Sequence, residues 1–490
     1  MRACGVGWGG ASIGAAVPRS IFRPRQIHQR DPIHPLHAHR LAVIWGANKG
    51  HVPGRWILGM DIGGGGPDGG MSKESFAPWA TVRILSGRTR LPCFMPTPFK
   101  PLLAGLVLAT GSFALPSAAA AAATPLTVRL ERVPAGGLQP QAAVDAAGRT
   151  HLVWLEGEAK AADVRYAWRD PATTAWSTPL RVNTTPGSAL AVGTIRGPQL
   201  ALGRAGRVHV CWNGSSEARP KPELGGAPLL YTRINASGMG FEPERNLMGH
   251  TRHLDGGAAV AADAEGRVFV VWHAAPATDP AVEMRRSVYL AASSDDGTTF
   301  ASERIVSPTG SGACGCCGLQ AHAGPGGTLA ILYRGASAVD QRPATLLASH
   351  DHGATFSVLL REPWNVGQCP MSSASLHLTD SSTVLAAWEL GGQVHWQRVA
   401  WTDAVQPPEA RPQVVTADRS TKHPVVAVNG RGETLIAWTI GTGWQRGGSL
   451  AWQVVDARNA VLREGRSDGV PVWGSLAAVA EPDGTFVVWY

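Results

Sequence analysis

The sharpest chemistry in this chain is a run of thiols. The stretch GACGCCG holds Cys314, Cys316 and Cys317, and a later QCPM holds Cys369 and Met371. Two chemistries suit such a set. In an oxidising compartment one of the three closely spaced cysteines joins Cys369 in a disulfide. Adjacent Cys316 and Cys317 point different ways, so only one of them readily enters a given bridge. Reduced, the same sulfurs with His253 or His423 suit a soft ion, copper(I) or zinc(II). The paired C-x-x-C spacing of a dedicated zinc motif is absent, and nothing else in the sequence requires a cofactor. Cys211, beside Trp212 on an alternating apolar run, reads as core.

Both thiol clusters stand just ahead of an alternating apolar segment, and such segments recur. Seven hairpins align: PQAAVDAAGRTHLVW, PQLALGRAGRVHVCW, AVAADAEGRVFVVW, LQAHAGPGGTLAILY, ASLHLTDSSTVLAAW, VVAVNGRGETLIAW and SLAAVAEPDGTFVVWY. Each ends on an aromatic six residues after the turn glycine, or after Ser382 in the fifth copy. The aromatics are spaced 58, 60, 61, 55, 50 and 52 residues apart. Third and fourth strands recur between hairpins, as in VRYAW then STPLRV. Period-two alternation between Asp/Gly turns marks antiparallel strands. Four short strands repeated at this period predict an all-β propeller of antiparallel blades. Seven hairpins favour seven blades; six would follow if a terminal hairpin lay outside the ring. After the seventh hairpin the sequence stops at Tyr490, whereas TPLTVRLERV, near the start of the repeats, resembles a fourth strand without its own hairpin. That N-terminal strand is expected to close the ring.

Two copies carry a further signature. SSDDGTTF (Ser293 to Phe300) and SHDHGATF (Ser349 to Phe356) both match S-x-D-x-G-x-T-F at the same place in the repeat. Asp295 and Asp351 are placed to accept hydrogen bonds from their own turn, Gly297 and Gly353 permit the bend, and Phe300 and Phe356 fill space between sheets. These turns resemble the Asp boxes, or BNR repeats, of sialidase-like propellers. Ser293, Ser349 and the six residues just named are read as structural.

Strand direction puts those turns on one face, together with the DAEGR-type turns. The opposite, axial face collects the loops before each first strand and the residues just after each closing aromatic. Sialidase-like enzymes use that face. Before first strands stand Gln139, Arg196, Arg252, His253, Asp255, the thiol clusters, His423 and Trp473; after the aromatics stand Glu156, Asn213, His273, Arg334 and Glu389. Loops normally filled by Gly, Ser and Pro are here rich in Arg, His and carboxylates, which marks candidate chemistry. The resemblance implies three arginines on a substrate carboxylate, an Asp acid/base and a Tyr nucleophile. Arg196, in IRGP, echoes the family's Arg-Ile-Pro element; Arg252 and Arg334 would complete the cluster, and Asp255 would be the acid. All five tyrosines, however, lie on strands or at the closing aromatic position. His253, His273, Glu156, Asn213, Glu389, His423 and Trp473 are the candidate ligand-binding residues. The leading expectation is a propeller that binds a glycan or protein ligand axially. An exo-sialidase-type glycoside hydrolase and a Cys/His/Met metal-binding or redox propeller are the alternatives.

Charge excludes other partners. The net charge is +8, but residues 1–94 hold 12 Lys/Arg and 4 Asp/Glu, leaving 32 of each sign in the remainder. No nucleic-acid surface is expected from a neutral repeat region. Residues 1–94 lack periodicity and read as a mis-assigned or unstructured extension. The segment 95–123 begins at Met95, passes through Lys100 and an apolar run, and ends on small residues, as a secretory signal peptide does. The propeller is then expected over 124–490, in the periplasm or outside the cell, with no membrane span in the mature chain.

Overall fold

Successive residues of each strand go to opposite neighbours. On Ala258–Ala262, Ala258 and Val260 pack into one apolar cluster while Ala259 and Ala261 pack into the next. On the following strand, Val268–Pro276, Val268, Val270 and Trp272 join the first cluster, and Phe269 and Val271 the second. A strand with apolar residues on both faces must stand between two other sheets. The computed structural model describes residues 125–490 apart from 172, 277, 279–282, 368, 380–381 and 402–411, and shows that arrangement throughout. The expected extension (1–94) and signal peptide (95–123) lie outside the described residues. Among the described residues no helix is long and apolar enough to cross a membrane.

Seven sheets form the seven blades of a propeller. Blades one to six span 138–181, 199–246, 258–305, 320–362, 374–414 and 421–470, each an antiparallel meander. Blade three has an additional short strand, Thr251–Arg252, paired with Ala275 and Pro276 at the far end of Val268–Pro276. Seven apolar clusters lie between neighbouring blades, the last joining Trp154 and Leu152 of blade one to Trp489 and Val487 of blade seven. Trp154, Trp212, Trp272, Tyr333, Trp388 and Trp438 are all buried in these clusters, so the closing aromatics are packing elements. In blade seven the enclosed aromatic is Trp489; Tyr490 is half-buried, its hydroxyl 3.1 Å from that of Ser467.

The N-terminal strand Val128–Glu131 closes the ring, but not in the expected place. It pairs directly with Phe486–Trp489, in parallel, with Val128 opposite Phe486 and Glu131 opposite Trp489. It therefore takes the third-strand position of a three-stranded blade whose inner strand is Ala477–Ala480. The reason is the edge: the outer side of Phe486–Trp489 presents unpaired backbone groups, and the N-terminal strand satisfies them without an intervening strand. An ion-pair network then fastens the seam. Arg169, the last residue of Ala161–Arg169 in blade one and only 4% exposed, reaches Glu131 at 3.0 Å and Glu481 at 3.1 Å. Arg129 bridges the same two carboxylates at 2.6 and 2.8 Å, and Trp489 Nε1 donates to Glu131 at 3.0 Å.

Both S-x-D-x-G-x-T-F turns satisfy themselves. Asp295 accepts from the Thr299 N–H (2.8 Å), the Thr299 hydroxyl (2.7 Å) and the Ser293 hydroxyl (2.7 Å), while Gly297 N–H donates to Ser293 Oγ. Asp351 does the same with Thr355 and Ser349, at 2.6–2.8 Å. Gly297 has a φ of +74°, and a Cβ there would stand 1.9 Å from the Tyr231 hydroxyl of blade two. Phe300 meets the Tyr231 ring edge-on at 4.8 Å, and Phe356 packs into the cluster between blades three and four. Backbone bonds from Asp296 N–H to Gly266 O and from His352 N–H to Gly327 O hold each turn against the inner hairpin turn of its own blade. These turns thus lie at the end of the blades away from the loops that precede first strands.

Two predictions follow from the ring and its turns. Arg169→Ala leaves Glu131 and Glu481 without their shared buried cation and is expected to cost about 2–4 kcal/mol, read as a lower denaturation midpoint; an unchanged midpoint would show that the seam is held by strand pairing alone. Hydrogen bonds, chiefly from Thr299 and Thr355, hold the Asp295 and Asp351 carboxylates well below the usual carboxylate range. A depressed folded pKa stabilises the fold above the unfolded value and loses that contribution as the pH falls through the folded one. The double variant Asp295→Asn/Asp351→Asn should therefore show a shallower fall in Tm between about pH 5 and pH 2 than the parent, whereas parallel curves would contradict the linkage.

Candidate axial site

The inner strands of all seven blades line a central channel of about 480 Å³. Its wall carries a chain of amides: Gln141 and Gln320 each donate to Gln199 Oε1 at 3.2 Å. His322 and His377 meet edge-on there at 5.9 Å. Burial pushes them down to about 3 and about 4, so both are neutral near pH 7.

Over one end of the channel lies the loop that leads into blade two. Ile195, 6% exposed, packs against Gly256 and Gly257 and forms the plug. The loop is held from blade one by Gln139, a buried residue at φ +51° followed by Pro140, where the inner strand enters through a bulge. Its side chain donates to Ala191 O at 2.6 Å and accepts from the Arg196 N–H at 3.0 Å. His423 repeats this geometry in blade six, at φ +50° before Pro424, and its Nδ1 lies 3.0 Å from Ser373 Oγ. Burial pushes His423 down to about 3, so it is neutral there.

Arg196 and Asp255 pair over this plug. Arg196 Nη2 meets Asp255 Oδ1 at 2.5 Å, Nε donates to Asp255 O at 2.6 Å, and Nη1 donates to Val192 O. Asn213 Nδ2 fixes the same turn through Asp255 O (3.2 Å) and Gly256 O (2.8 Å). Gly193 shows how closely the loops converge. Its φ is +83°, and a Cβ there would stand 2.6 Å from Arg196 Nη1, 3.4 Å from Trp444 and 3.7 Å from Met371. Those three side chains come from the seams of blades two, six and five, so they meet across the axis. Trp444 is 56% exposed and meets Trp473 edge-on at 4.7 Å. The outcome is a mouth floored by Gly193 and Ile195, with two indoles on one side and an Arg–Asp pair on the other.

A second layer lies behind blades three to five. Cys316 is disulfide-bonded to Cys369, which settles the pairing left open among the three thiols. Cys314 and Cys317 remain buried thiols. Cys314 Sγ is 3.2 Å from Cys316 Sγ and 3.5 Å from Cys317 Sγ. The hydrogen bond shared with Cys317, together with burial, pushes the Cys314 thiol up. His273 Nε2 lies 2.9 Å from Cys317 O, and burial pushes this imidazole below its ordinary value. Arg334 is committed here: Nη1 donates to Arg342 O (2.9 Å), Nη2 to Glu389 O (2.7 Å), and its guanidinium stacks 4.7 Å over Trp364. Glu389 is buried, which pushes its carboxyl up; Lys422 stands 3.9 Å away.

The expected residues therefore divide. Arg196, Asp255, Asn213, Met371 and Trp473 gather at the mouth. His273, Arg334, Glu389 and the thiols form the buried layer, and His423 props the inner strand of blade six. Arg252 lies on the accessory strand Thr251–Arg252, and the carbonyl of His253 accepts from Arg286 Nε at 3.2 Å. Glu156 pairs with Arg165 at 3.3 Å within blade one. The guanidinium donors of Arg196 and Arg334 face protein carbonyls and Asp255. Tyr166 and Tyr231 are buried against His151 and His209, each at 2.8 Å, and Tyr333 lies 3.1 Å from Ser311 Oγ. Sequence reasoning missed Trp444, Ile195, Glu283 and Arg286. Trp444 alone had a readable signal: in GTGWQRGG it falls outside the register of the closing aromatics, just beyond a second strand and thus on the axial face.

No family model matches the chain, and no curated protein matches it. Among solved structures it is similar to a protein of unknown function from Dyadobacter fermentans, at 16% identity and a TM-score of 0.41, over 62% of this chain and 90% of that one. It is also similar to the leech intramolecular trans-sialidase, at 11% identity and a TM-score of 0.40, over 68% and 78% of the two chains. A third likeness is to Trypanosoma rangeli sialidase, at 12% identity and a TM-score of 0.42, over 65% of this chain and 56% of that one. The likeness is one of fold.

Proposed function

We propose that this protein is an exported carbohydrate-binding propeller that holds a sugar residue against Trp444 and Trp473 at the axial mouth. The observation that carries the reading is Trp444: a large indole left 56% exposed, edge-on to a second indole, over the convergence of three blade seams. An exposed aromatic at a concave, polar-rimmed position marks an interaction site. Indole faces suit the C–H faces of a pyranose, and Asp255, with its side chain 38% exposed, supplies a hydroxyl acceptor at the rim. Arg196 orients Asp255 and ties down the loop. Binding is favoured over hydrolysis because Arg196 is paired with Asp255, Arg334 donates to the Arg342 and Glu389 carbonyls, and the tyrosines belong to the blades. The Cys316–Cys369 disulfide suits the periplasm or the cell exterior.

A glycan microarray with the full chain, followed by calorimetric titration of the strongest hit, tests this. Trp444→Ala is expected to weaken binding at least about tenfold, the loss of one stacking platform, while Asp295→Ala on the far face leaves it unchanged. Failure of the parent protein to retain any glycan, or equal affinity in Trp444→Ala, would refute the reading.

A further inference from the structure

Outside the mouth, the densest unexplained chemistry is the sulfur layer. Cys314, Cys316 and Cys317 have their Sγ atoms within 4.8 Å of one another, and Cys369 is bonded to one of them. Four sulfurs in one place exceed what a single staple requires. We propose that Cys314, Cys316, Cys317 and Cys369 form a redox-gated site for one thiophilic metal ion, closed while the Cys316–Cys369 disulfide is intact and open as a four-thiolate site once it is reduced.

The spacing fits. Four sulfurs around zinc at about 2.3 Å are separated by tetrahedral edges of about 3.8 Å. The Cys314–Cys316 and Cys314–Cys317 separations, 3.2 and 3.5 Å, lie a few tenths of an ångström inside that edge. The loop is shaped to bring them together. Gly315 separates two of the ligands, and its bare Cα leaves room for the Arg286 guanidinium, whose Nη1 would stand 2.4 Å from a Cβ there. Cys314 N–H donates to Arg334 O, and Cys317 N–H to Cys314 O, which fixes the turn internally.

The electrostatic surroundings suit an anionic cluster. A four-thiolate zinc centre carries two negative charges. Arg286 lies against Gly315, Arg342 acts on Cys314, and Arg334 acts on Cys317. Glu283, paired with Arg286 at 2.8 Å, and Glu389, beside Lys422, are the opposing carboxylates. Burial of Cys314 and Cys317 excludes water from two of the four ligands, whereas Cys369 is exposed and offers the reductant a way in.

The gating step balances with a dithiol reductant. The dithiol gives two electrons and two protons to the Cys316–Cys369 bond, becoming a disulfide itself, and two thiols result. Zinc(II) then displaces four thiol protons, leaving no sulfur–sulfur bond. Copper(I), with the same preference for thiolate, would use the same ligands.

The test compares two forms of the full chain, disulfide-intact and reduced with dithiothreitol that is then removed without oxygen. Each is titrated with Zn²⁺ against a chromophoric chelator. The reduced form is expected to take one equivalent at an affinity at least about a hundredfold above that of the intact form. Cys314→Ser and Cys317→Ser should each weaken uptake at least about tenfold, and Cys211→Ser, in the blade two core, should not. Where a serine variant does not fold, alkylation of the parent read by mass spectrometry replaces it: Zn²⁺ should shield Cys314, Cys316, Cys317 and Cys369 in the reduced form. Equal zinc uptake by both forms, no uptake by the reduced form, or uptake without shielding of these four sulfurs overturns the proposal.

Discussion

Every blade of this protein has two apolar faces, and neither can be left in water. That constraint governs the rest. On a single strand, Ala258 and Val260 face one neighbour while Ala259 and Ala261 face the other, so no blade is stable without a sheet on each side. A row of such sheets would end in two exposed faces; a ring ends in none. The seventh cluster, where Trp154 meets Trp489, is thus as necessary as the other six. The N-terminal strand and the Arg169 network secure that last seam with residues distant in sequence.

Once the blade faces are committed to packing, chemistry is confined to the ends. At one end Asp295 and Asp351 spend their oxygens on their own loops. At the other end loops from different blades meet over the axis, and their polar groups are spent on each other. Gln139 holds the loop that carries Arg196, Arg196 holds Asp255, and Asn213 holds the backbone of the same turn. Trp444 remains outward, edge-on to the half-buried Trp473, with the Asp255 carboxylate at the rim. This division is the ground on which axial binding is proposed.

Much of the scaffold was legible in the sequence because alternation and turn chemistry are local. The seven hairpins and their turns follow from short-range pattern. Contacts between seams were not legible in the same way. The resemblance sets Arg196 and Arg334 on a substrate carboxylate, and no local pattern names the partners they have in the structure, Asp255 for Arg196 and Glu389 O for Arg334, 59 and 55 residues away. The N-terminal strand was recognisable as the ring's closure, but its parallel register depends on which edge of the last hairpin stands open. Asp296 stands beside Asp295 in the same turn. It is buried and paired with Arg207 of blade two at 2.8 Å, a contact that no pattern within one repeat encodes.

The central claim is that ligand is received at the seams over the axis and not at the turns that give the repeat its signature. Hydrogen–deuterium exchange of the full chain, with and without a saturating glycan, addresses it directly. Slowed exchange confined to 190–197, 371–373, 441–447 and 471–474 is the predicted result. Slowing at 293–300 and 349–356 instead, with the axial loops unchanged, would place the ligand on the opposite face and contradict the account.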